Sequence, residues 1–169
     1  MNGFARTLER QADLGPPVDR YVEMIVAATA QLGELVDELG VAARIESERY
    51  EPHLQQADTL ALAQAAAARL GEERVRVEGQ GTTVSTDIAA VERGIAALVQ
   101  SVLRHGGLDE TTVRVDGAEI AVDGVSDASA PVVLGEDLRD LGAAVAVRLL
   151  RALGGGVERD GATLRIRLG

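Results

Sequence analysis

Two histidines, His53 and His105, are the residues of this sequence best suited to accept a phosphoryl group or to move a proton. The chain of 169 residues has no cysteine, which excludes thiol catalysis, disulfides and cysteine-ligated zinc. His53 follows Pro52 in a predicted strand or connector, and this position favours a surface or packing role. His105 ends an apolar segment, where a plain structural role is favoured over phosphate acceptance.

Two other patterns imitate chemical sites. Gly154, Gly155 and Gly156 look like a phosphate-binding loop, but they follow a predicted helix and precede a predicted strand. That order is the reverse of a phosphate loop and predicts a helix C-cap. A group of acidic residues could hold a metal, but most of them lie off the apolar stripe of their helix, which favours a solvated face. These acids are Asp19, Glu23, Glu34, Asp37 and Glu38.

The charge balance argues against several classes of partner. The net charge is −10 at pH 7, and all 17 basic residues are arginines. Because no basic stripe offsets the acids, the sequence predicts neither a nucleic acid nor a membrane surface as a partner. One Phe, two Tyr and no Trp leave little surface for stacking on bases. No apolar run reaches the roughly 20 residues of a spanning helix, and no signal peptide is recognisable, so we expect a cytoplasmic protein.

A long apolar stripe follows Pro16 and Pro17. Its members alternate spacings of three and four, which predicts an amphipathic helix of roughly 25 residues. A shorter helix is predicted over residues 2–13. Because one short helix cannot cover so wide a stripe, we expect residues 1–48 to form a helical hairpin that pairs with a second copy in a dimeric four-helix bundle. The alternative is that the rest of the chain folds back over the stripe. The stripe contains Val18, Tyr21, Ile25, Ala28, Leu32, Leu35, Leu39 and Ala42, widened by Val22, Val36 and Ala43.

The remainder, residues 49–169, alternates helix and strand signals. This order predicts an α+β domain with about three helices on one face of a mixed sheet. The pairs Asp116-Gly117 and Asp160-Gly161 predict two tight hairpins. The predicted helices cover residues 59–70, 88–104 and 136–153. The predicted strands cover residues 50–54, 75–78, 82–84 (as the hairpin partner of 75–78), 112–115, 118–122, 157–159 and 163–168.

Three segments resemble parts of sensor histidine kinases. Residues 39–52, LGVAARIESERYEP, resemble the end of the second dimerisation helix and its exit into the ATPase domain. Residues 1–5, MNGFA, resemble a stretch beyond the phosphorylated histidine of the first dimerisation helix, so the matched region lacks that histidine. Residues 50–169 resemble the kinase ATP-binding domain, the GHKL or Bergerat fold. The resemblance implies a helical hairpin followed by a GHKL-like α/β sandwich.

The segment that resembles the N box of this family departs from it at one position. In the family, an Asn of the N box holds the Mg²⁺ that bridges the ATP phosphates. Residues 98–106 match this box, with Ser101 at the Asn position and His105 near the end. A hydroxyl is a poorer ligand than an amide carbonyl for a hard cation. The resemblance therefore implies a vestigial nucleotide pocket.

The first glycine box also departs from the family pattern, Asp-x-Gly-x-Gly. Its aspartate accepts a hydrogen bond from the adenine amino group. Residues 127–131, DASAP, match it best and keep Asp127 but neither glycine. Asp123 and Gly124 are the other candidate remnant, so the alignment stays open here.

The second glycine box is matched by residues 140–143, DLGA, in which Gly142 survives. The family pattern, Gly-x-Gly at a helix start, lets backbone N–H groups meet phosphate. Here Asp140 would set a negative charge against the phosphates. Gly142 follows Asp127 by only 15 residues (142 − 127), so the lid that closes over ATP in active kinases looks deleted.

These departures predict a catalytically degenerate, histidine-kinase-like signalling protein, with no catalytic residue, metal or cofactor. It would act by protein–protein contact in two-component or related signal transduction. Its predicted partners are a second copy and a response regulator or another signalling protein or kinase. The alternative is a minimal ATP-binding kinase or ATPase of the GHKL superfamily, which would take Mg·ATP. A purely structural oligomerisation module is a third hypothesis. The residues nearest a docking surface would be Arg6, Arg10, Val22 and Ile25.

Overall fold

The computed structural model describes residues 16–71 and 73–169. The chain separates into two compact units, the first ending at Gly40 and the second running from Val41 to Gly169. Helix α1, Pro16–Glu46, begins at a proline. Proline has no backbone N–H, and it suits a first helical turn because an N–H there would have no acceptor within the helix. The predicted helix over residues 2–13 lies outside the described residues, as do Arg6 and Arg10. Within the described ranges, no helix is both long and apolar enough to cross a membrane.

Much of the predicted apolar stripe is exposed on α1. Val22 differs, since only 6% of it is exposed. The predicted four-helix bundle stays a prediction. The large apolar side chains of α1 that are more than half exposed are Tyr21, Met24, Ile25, Leu32, Val36 and Leu39.

The second unit is an α+β domain, as predicted. Its helices after α1 are α2 (Thr59–Ala68), α3 (Ile88–Gly106), α4 (Ala130–Val133) and α5 (Leu141–Ala152). Its strands are β1 (Gln55–Asp58), β2 (Val75–Gly81), β3 (Thr83–Thr86), β4 (Thr111–Gly117), β5 (Glu119–Asp123), β6 (Gly156–Asp160) and β7 (Thr163–Arg167).

Five of these strands form a mixed sheet in the order β2-β4-β5-β7-β6. Only the β2–β4 pair is parallel, and α3 connects its two strands along the chain. Alternate residues of the central strands face α2, α3 and α5 and form the core. The intervening residues, all polar or charged except Ala121, form an open face. The inward residues that are at most 3% exposed are Val113, Val115, Ile120, Val122, Leu164 and Ile166.

Both predicted hairpins form, and each loop lies one residue later than the Asp-Gly pair indicates. Asp116 still pairs with Glu119, and Asp160 pairs with Thr163, so each aspartate is the last paired residue of its strand. Gly117 and Gly161 take the first loop position with φ values of +57° and +59°. Glycine adopts this left-handed conformation without steric cost.

The predicted pairing of residues 82–84 with residues 75–78 is wrong. Strand β3 pairs with β1 in a separate two-stranded sheet, while β2 continues to Gly81 alongside β4. The reason lies in Gly79, where a Cβ would lie 1.9 Å from the carbonyl oxygen of Val115. This glycine allows the backbones of neighbouring strands to approach closely and does not mark a turn.

Two other predicted boundaries are wrong. The predicted strand over residues 50–54 is irregular, and the strand β1 lies directly after it. The predicted helix over residues 136–153 begins only at Leu141, because the Asp140 side chain caps it there. The short helix α4 and a turn at Gly135, with φ of +72°, precede that cap.

An ion-pair network covers the open face of the sheet. Arg114 binds both carboxylate oxygens of Asp123, and its Nη2 lies 2.7 Å from Oδ1. The Thr163 hydroxyl also donates to Asp123 Oδ1, at 2.7 Å. Arg165 bridges Glu119 and Asp160. These bonds join β4, β5, β7 and the end of β6 across the sheet.

The Asp123 pair makes stability depend on pH. The hydrogen bond from Arg114 lowers the pKa of Asp123 below its usual value, with Thr163 adding to the effect against the opposing effect of burial. A lowered folded-state pKa stabilises the fold above the unfolded value and loses that effect as pH falls through the folded value. We expect Asp123→Asn to lower the free energy of unfolding at pH 7 but not at pH 2, by less than about 1 kcal/mol since both partners are half exposed. Urea denaturation at both pH values measures this. The expectation is contradicted if Asp123→Asn lowers the free energy of unfolding equally at pH 7 and pH 2. It is also contradicted if the control Asp109→Asn lowers it as much as Asp123→Asn does.

Candidate functional site

The candidate site lies where α3 and α5 meet. Asp87 caps the start of α3 by accepting the Ala90 N–H at 3.1 Å, and Gly107, with φ of +66°, ends it. Its apolar residues recur at helical spacing and are buried against the sheet and against α5. Because α3 and α5 pack side by side, the residues of the last turn of α3 lie beside the first turn of α5.

Asp140 connects the two helices. Its Oδ1 accepts the Ala143 N–H at 3.1 Å, which caps α5. Its Oδ2 lies 3.1 Å from His105 Nε2 and 3.8 Å from Arg104 Nη1. The residue is only 8% exposed, so the carboxylate is a nearly buried anion at a helix N-terminus, where the helix dipole favours negative charge.

Ser101 lies one helical turn before His105 on α3. It is fully buried, and its hydroxyl has no hydrogen-bond partner among the described residues. A side chain with no solvent exposure is inaccessible to a hydrated cation from solution unless α3 or its neighbours move. The Mg²⁺ role that the resemblance assigns to this position therefore has no open route here.

The segment between Asp127 and Asp140 is folded against the helices. Val132 and Val133 of α4 are at most 1% exposed, and α4 contacts both α3 and α5. The turn after it is equally close, since a Cβ on Gly135 would lie 2.8 Å from the Ala144 Cα. Where the resemblance expects a lid, this chain has a short, packed helix.

The Asp127 side chain does not join the group formed by Asp140, His105 and Arg104. Its side chain is 97% exposed and pairs with Arg159 of β6 at 2.7 Å. The turn around it is closed by Ser126 and Ser129, whose hydroxyls lie 3.1 Å apart. This geometry fits the turn role of Asp127. Gly142, by contrast, lies in the first turn of α5, two residues after Asp140.

The structure thus brings His105, Asp140 and Gly142 together and adds Arg104, which sequence reasoning missed. The sequence does contain one indication of this pair. Asp140 lies at the start of α5 and His105 at the end of α3, which are the positions where the helix dipoles favour an acidic and a basic side chain, respectively. What the sequence lacked was the contact between the helices, because 35 residues separate His105 from Asp140.

Other candidate chemistry is sparse in the described parts of the chain. They contain no cluster of three or more potential metal-ligating side chains. His53 is exposed, and its backbone N–H donates to Asp87 at 3.1 Å. An open groove of about 550 Å³ lies over β2 and β4, lined by charged residues that include Arg76, Glu78 and Arg114. It lies on the open face of the sheet, away from the helical layer.

We expect the Asp140 carboxylate to stabilise the fold in two separable ways. Asp140→Ala removes both the cap and the charge and should lower the free energy of unfolding by at least about 1 kcal/mol. Asp140→Asn keeps an equally good cap and loses only the charge that faces His105, so its loss should be smaller. Urea denaturation measures both.

The control for this series is Glu136→Ala, an exposed acid of the same loop, which should stay within about 0.5 kcal/mol of the parent. Equal losses for Asp140→Asn and Asp140→Ala would show that the cap contributes nothing. A loss in Glu136→Ala as large as that in Asp140→Ala would show that the loop, and not this carboxylate, is sensitive.

Comparison with known proteins gives matches only at the level of structure. No protein family matches the sequence, and no curated protein matches it. The histidine kinase AdeS of Acinetobacter baumannii aligns over 99% of this chain and 92% of its own, with a TM-score of 0.64 and 16% identity. Full-length ShkA, solved in complex with AMPPNP, aligns over 97% of this chain and 40% of its own, with a TM-score of 0.70 and 20% identity. The histidine kinase ThkA, solved in complex with the response regulator TrrA, aligns over 97% of this chain and 54% of its own, with a TM-score of 0.55 and 13% identity.

At these identities the likeness shows the fold. The chain has a histidine-kinase-like α+β fold, which confirms the GHKL-like domain that the resemblance implied for residues 50–169, whereas the helical hairpin stays a prediction. It spans 40% of ShkA and 54% of ThkA, so the nucleotide of the one and the response regulator of the other are properties of those proteins.

Proposed function

We propose that this chain is a histidine-kinase-like signalling protein that does not turn over ATP. It acts through contacts with other proteins in two-component or related signal transduction. The observation that carries the proposal is the Asp140 carboxylate, which caps α5 and pairs with His105. In the family that the chain resembles, the start of this helix is where phosphate is held.

The electrostatics of the site oppose a nucleotide. A phosphate brought to the first turn of α5 would meet a carboxylate already bound to the Ala143 N–H. The Arg104 guanidinium and the His105 ring already face that carboxylate. Two like charges repel strongly in a nearly buried position, because little water screens them. Mg·ATP would have to displace the resident acid.

The packing of the site acts in the same direction. Ser101, at the position of the metal-binding Asn, is fully buried. Val132 and Val133 fill the space beside α3 and α5, so opening a pocket would expose apolar side chains to water. Exposing a fully buried Val costs about 1.5 kcal/mol or more. We infer that neither the metal nor the phosphates have a prepared site.

The alternative function is an ATP-binding kinase or ATPase with a shortened lid. Its support comes from the fold and from one retained glycine. ShkA, which shares the fold, was solved with AMPPNP. Gly142 is the residue of the second glycine box that this chain retains. For this alternative, Asp140 would have to swing away from the α5 cap when nucleotide arrives.

Calorimetric titration separates these two functions. We expect Mg·ATP and Mg·ADP to give no saturable heat up to millimolar concentration, because the resident carboxylate repels phosphate. A histidine kinase ATP-binding domain, titrated under the same conditions, serves as the positive control. Saturable binding at one site per chain would overturn the proposal in favour of the alternative.

A second copy of the chain is the partner we propose for α1. Among the described side chains of this helix, six large apolar ones are exposed, and Ile25, Leu32 and Leu39 of this set recur at intervals of seven. Residues at this spacing lie on one side of a helix, where water is an unfavourable neighbour. Burying them against the same face of another copy would build the four-helix bundle that the sequence predicts.

A response regulator, or another signalling protein, is the further partner we propose. ThkA binds its regulator TrrA, and this chain shares its fold. Of the docking residues proposed from the sequence, Ile25 is 55% exposed and Val22 is buried. The proposed dimer would bury Ile25 as well, so a second copy and a regulator would compete for this part of α1.

We expect light scattering to give a mass of twice 17.7 kDa and Leu32→Asp to give the single-chain mass. An aspartate in the middle of the stripe would carry an unpaired charge into the interface. Ala30→Asp, an exposed position on the opposite side of α1, is the matched control and should remain dimeric. A monomeric parent chain, or a dimeric Leu32→Asp variant, would contradict the proposed dimer.

A further inference from the structure

One edge of the five-stranded sheet is open. Strand β2 is the last strand on its side, and among the described residues no further strand pairs with it there. The Arg74 carbonyl accepts the Thr111 N–H at 2.9 Å, on the side of β4. Because successive residues of a strand direct their backbone groups to opposite sides, Arg76 and Glu78 also direct theirs to β4. The N–H and C=O of Val77 therefore point to the open edge, where another extended chain can pair with them.

The side chains on either side of Val77 carry opposite charges. Arg76 and Glu78 are both exposed on the open face of the sheet. Neither forms an ion pair with another described residue. Arg114 is the residue opposite Glu78 on β4, but it already binds both carboxylate oxygens of Asp123. A cation and an anion thus lie two residues apart at the open edge, each available to a group of the opposite charge.

The opposite edge of the sheet, β6, differs in this respect. Arg159 of β6 pairs with Asp127 at 2.7 Å, and Asp160 of β6 pairs with Arg165 of β7 at 2.9 Å. The fold itself uses these charges. Charged side chains on an edge strand prevent indiscriminate pairing with other chains. At β2 the charges are unpaired, so they disfavour a segment with the wrong charges and attract one with the right charges.

The open groove over β2 and β4 provides space for the side chains of such a segment. Its volume of about 550 Å³ is typical of ligand-binding clefts, and both Arg76 and Glu78 line it. Leu108 forms an apolar part of its wall. The Leu108 side chain packs closely against Gly124, where a Cβ would collide with it. The groove therefore combines an apolar wall, set by the fold, with two charges that have no ion-pair partner among the described residues.

We propose that the β2 edge binds an extended segment of a partner protein, which adds to the sheet as a further antiparallel strand. Antiparallel pairing is slightly more stable per residue than parallel pairing, and the segment residue opposite Val77 exchanges two backbone hydrogen bonds with it. The flanking segment residues are an acid opposite Arg76 and a base opposite Glu78, with their side chains over the groove. The inference depends on the sheet alone, so it holds or fails independently of nucleotide exclusion and of the proposed dimer.

Two short peptides with capped ends test the charge pattern. In TVKVET a base and an acid flank a central valine, whereas in TVEVET two acids flank it. In NMR titrations the full chain should bind TVKVET about 10-fold more tightly, because TVEVET sets a like charge opposite Glu78. Glu78→Arg should reverse this preference, since both flanking positions then attract acids.

The matched control is Glu136→Arg, which makes the same change of charge at an exposed loop beside the helical layer. This variant should keep the preference of the parent chain for TVKVET. The proposal is overturned if neither peptide binds at millimolar concentration, if the parent chain binds both equally, or if Glu78→Arg keeps the parent preference. It is also overturned if Glu136→Arg reverses the preference, because net charge alone would then decide it.

The backbone pairing is tested separately on the parent chain. Saturation with TVKVET should slow the exchange of the Val77 amide proton with solvent by about 10-fold or more, because that proton gains an acceptor. A TVKVET peptide methylated at the nitrogen of its central valine cannot donate to the Val77 carbonyl and should bind about 10-fold more weakly. Equal binding of the methylated peptide, or unchanged exchange of the Val77 amide, would show that charge attracts the peptide without strand addition and would refute the proposal.

Discussion

Burial of one face of a five-stranded sheet under helices is the constraint on which the second unit depends. The inward residues of the central strands are almost all Val, Ile and Leu, and a sheet with one apolar face must cover it. Charge is therefore confined to the opposite face, where Arg165 bridges Glu119 and Asp160. The same constraint sets α3 beside α5, so the end of α3 that carries Arg104 and His105 meets the start of α5 that Asp140 caps.

That meeting makes one carboxylate both a structural and a chemical determinant. Asp140 satisfies a backbone N–H at the start of α5 and gives His105 and Arg104 a counter-charge. A protein that binds phosphate at such a helix start leaves the N–H groups available to the ligand. Here a side chain uses one of them within the fold. The stability of the fold and the proposed exclusion of anions from this helix start therefore depend on the same atoms.

The sequence predicts the features whose causes are local. The boundaries of α3 follow from the Asp87 cap and the glycines after it, and the two hairpins follow from Gly117 and Gly161, although each loop is displaced by one residue. The resemblance to histidine kinases adds the α+β fold of the second unit, which the similarity to solved structures confirms.

What the sequence does not predict depends on contacts between distant residues. From the sequence, Gly79 is predicted to be a turn residue. In the structure it lies within a strand, where the backbone of Val115 approaches it closely. The His105–Asp140 pair needs two helices whose packing no local pattern reveals. The end of α1 is the clearest case, because residues 43–51 contain no glycine, asparagine or proline, yet the helix ends at Glu46, where Ile45 and Tyr50 pack into an apolar cluster. The apolar stripe of α1 also does not predict which of its side chains are buried, since Val22 is buried and Ile25 is exposed.

The order of strands has a consequence for how the protein is made. Strand β7, Thr163–Arg167, lies between β5 and β6, and its Leu164 and Ile166 are fully buried in the core. During synthesis, β5 can pair with β4 but must wait for residue 167 before its other edge is covered. A nascent chain therefore exposes an apolar strand edge on the ribosome until translation has passed this point. Chaperones that recognise such edges would have their opportunity in that interval.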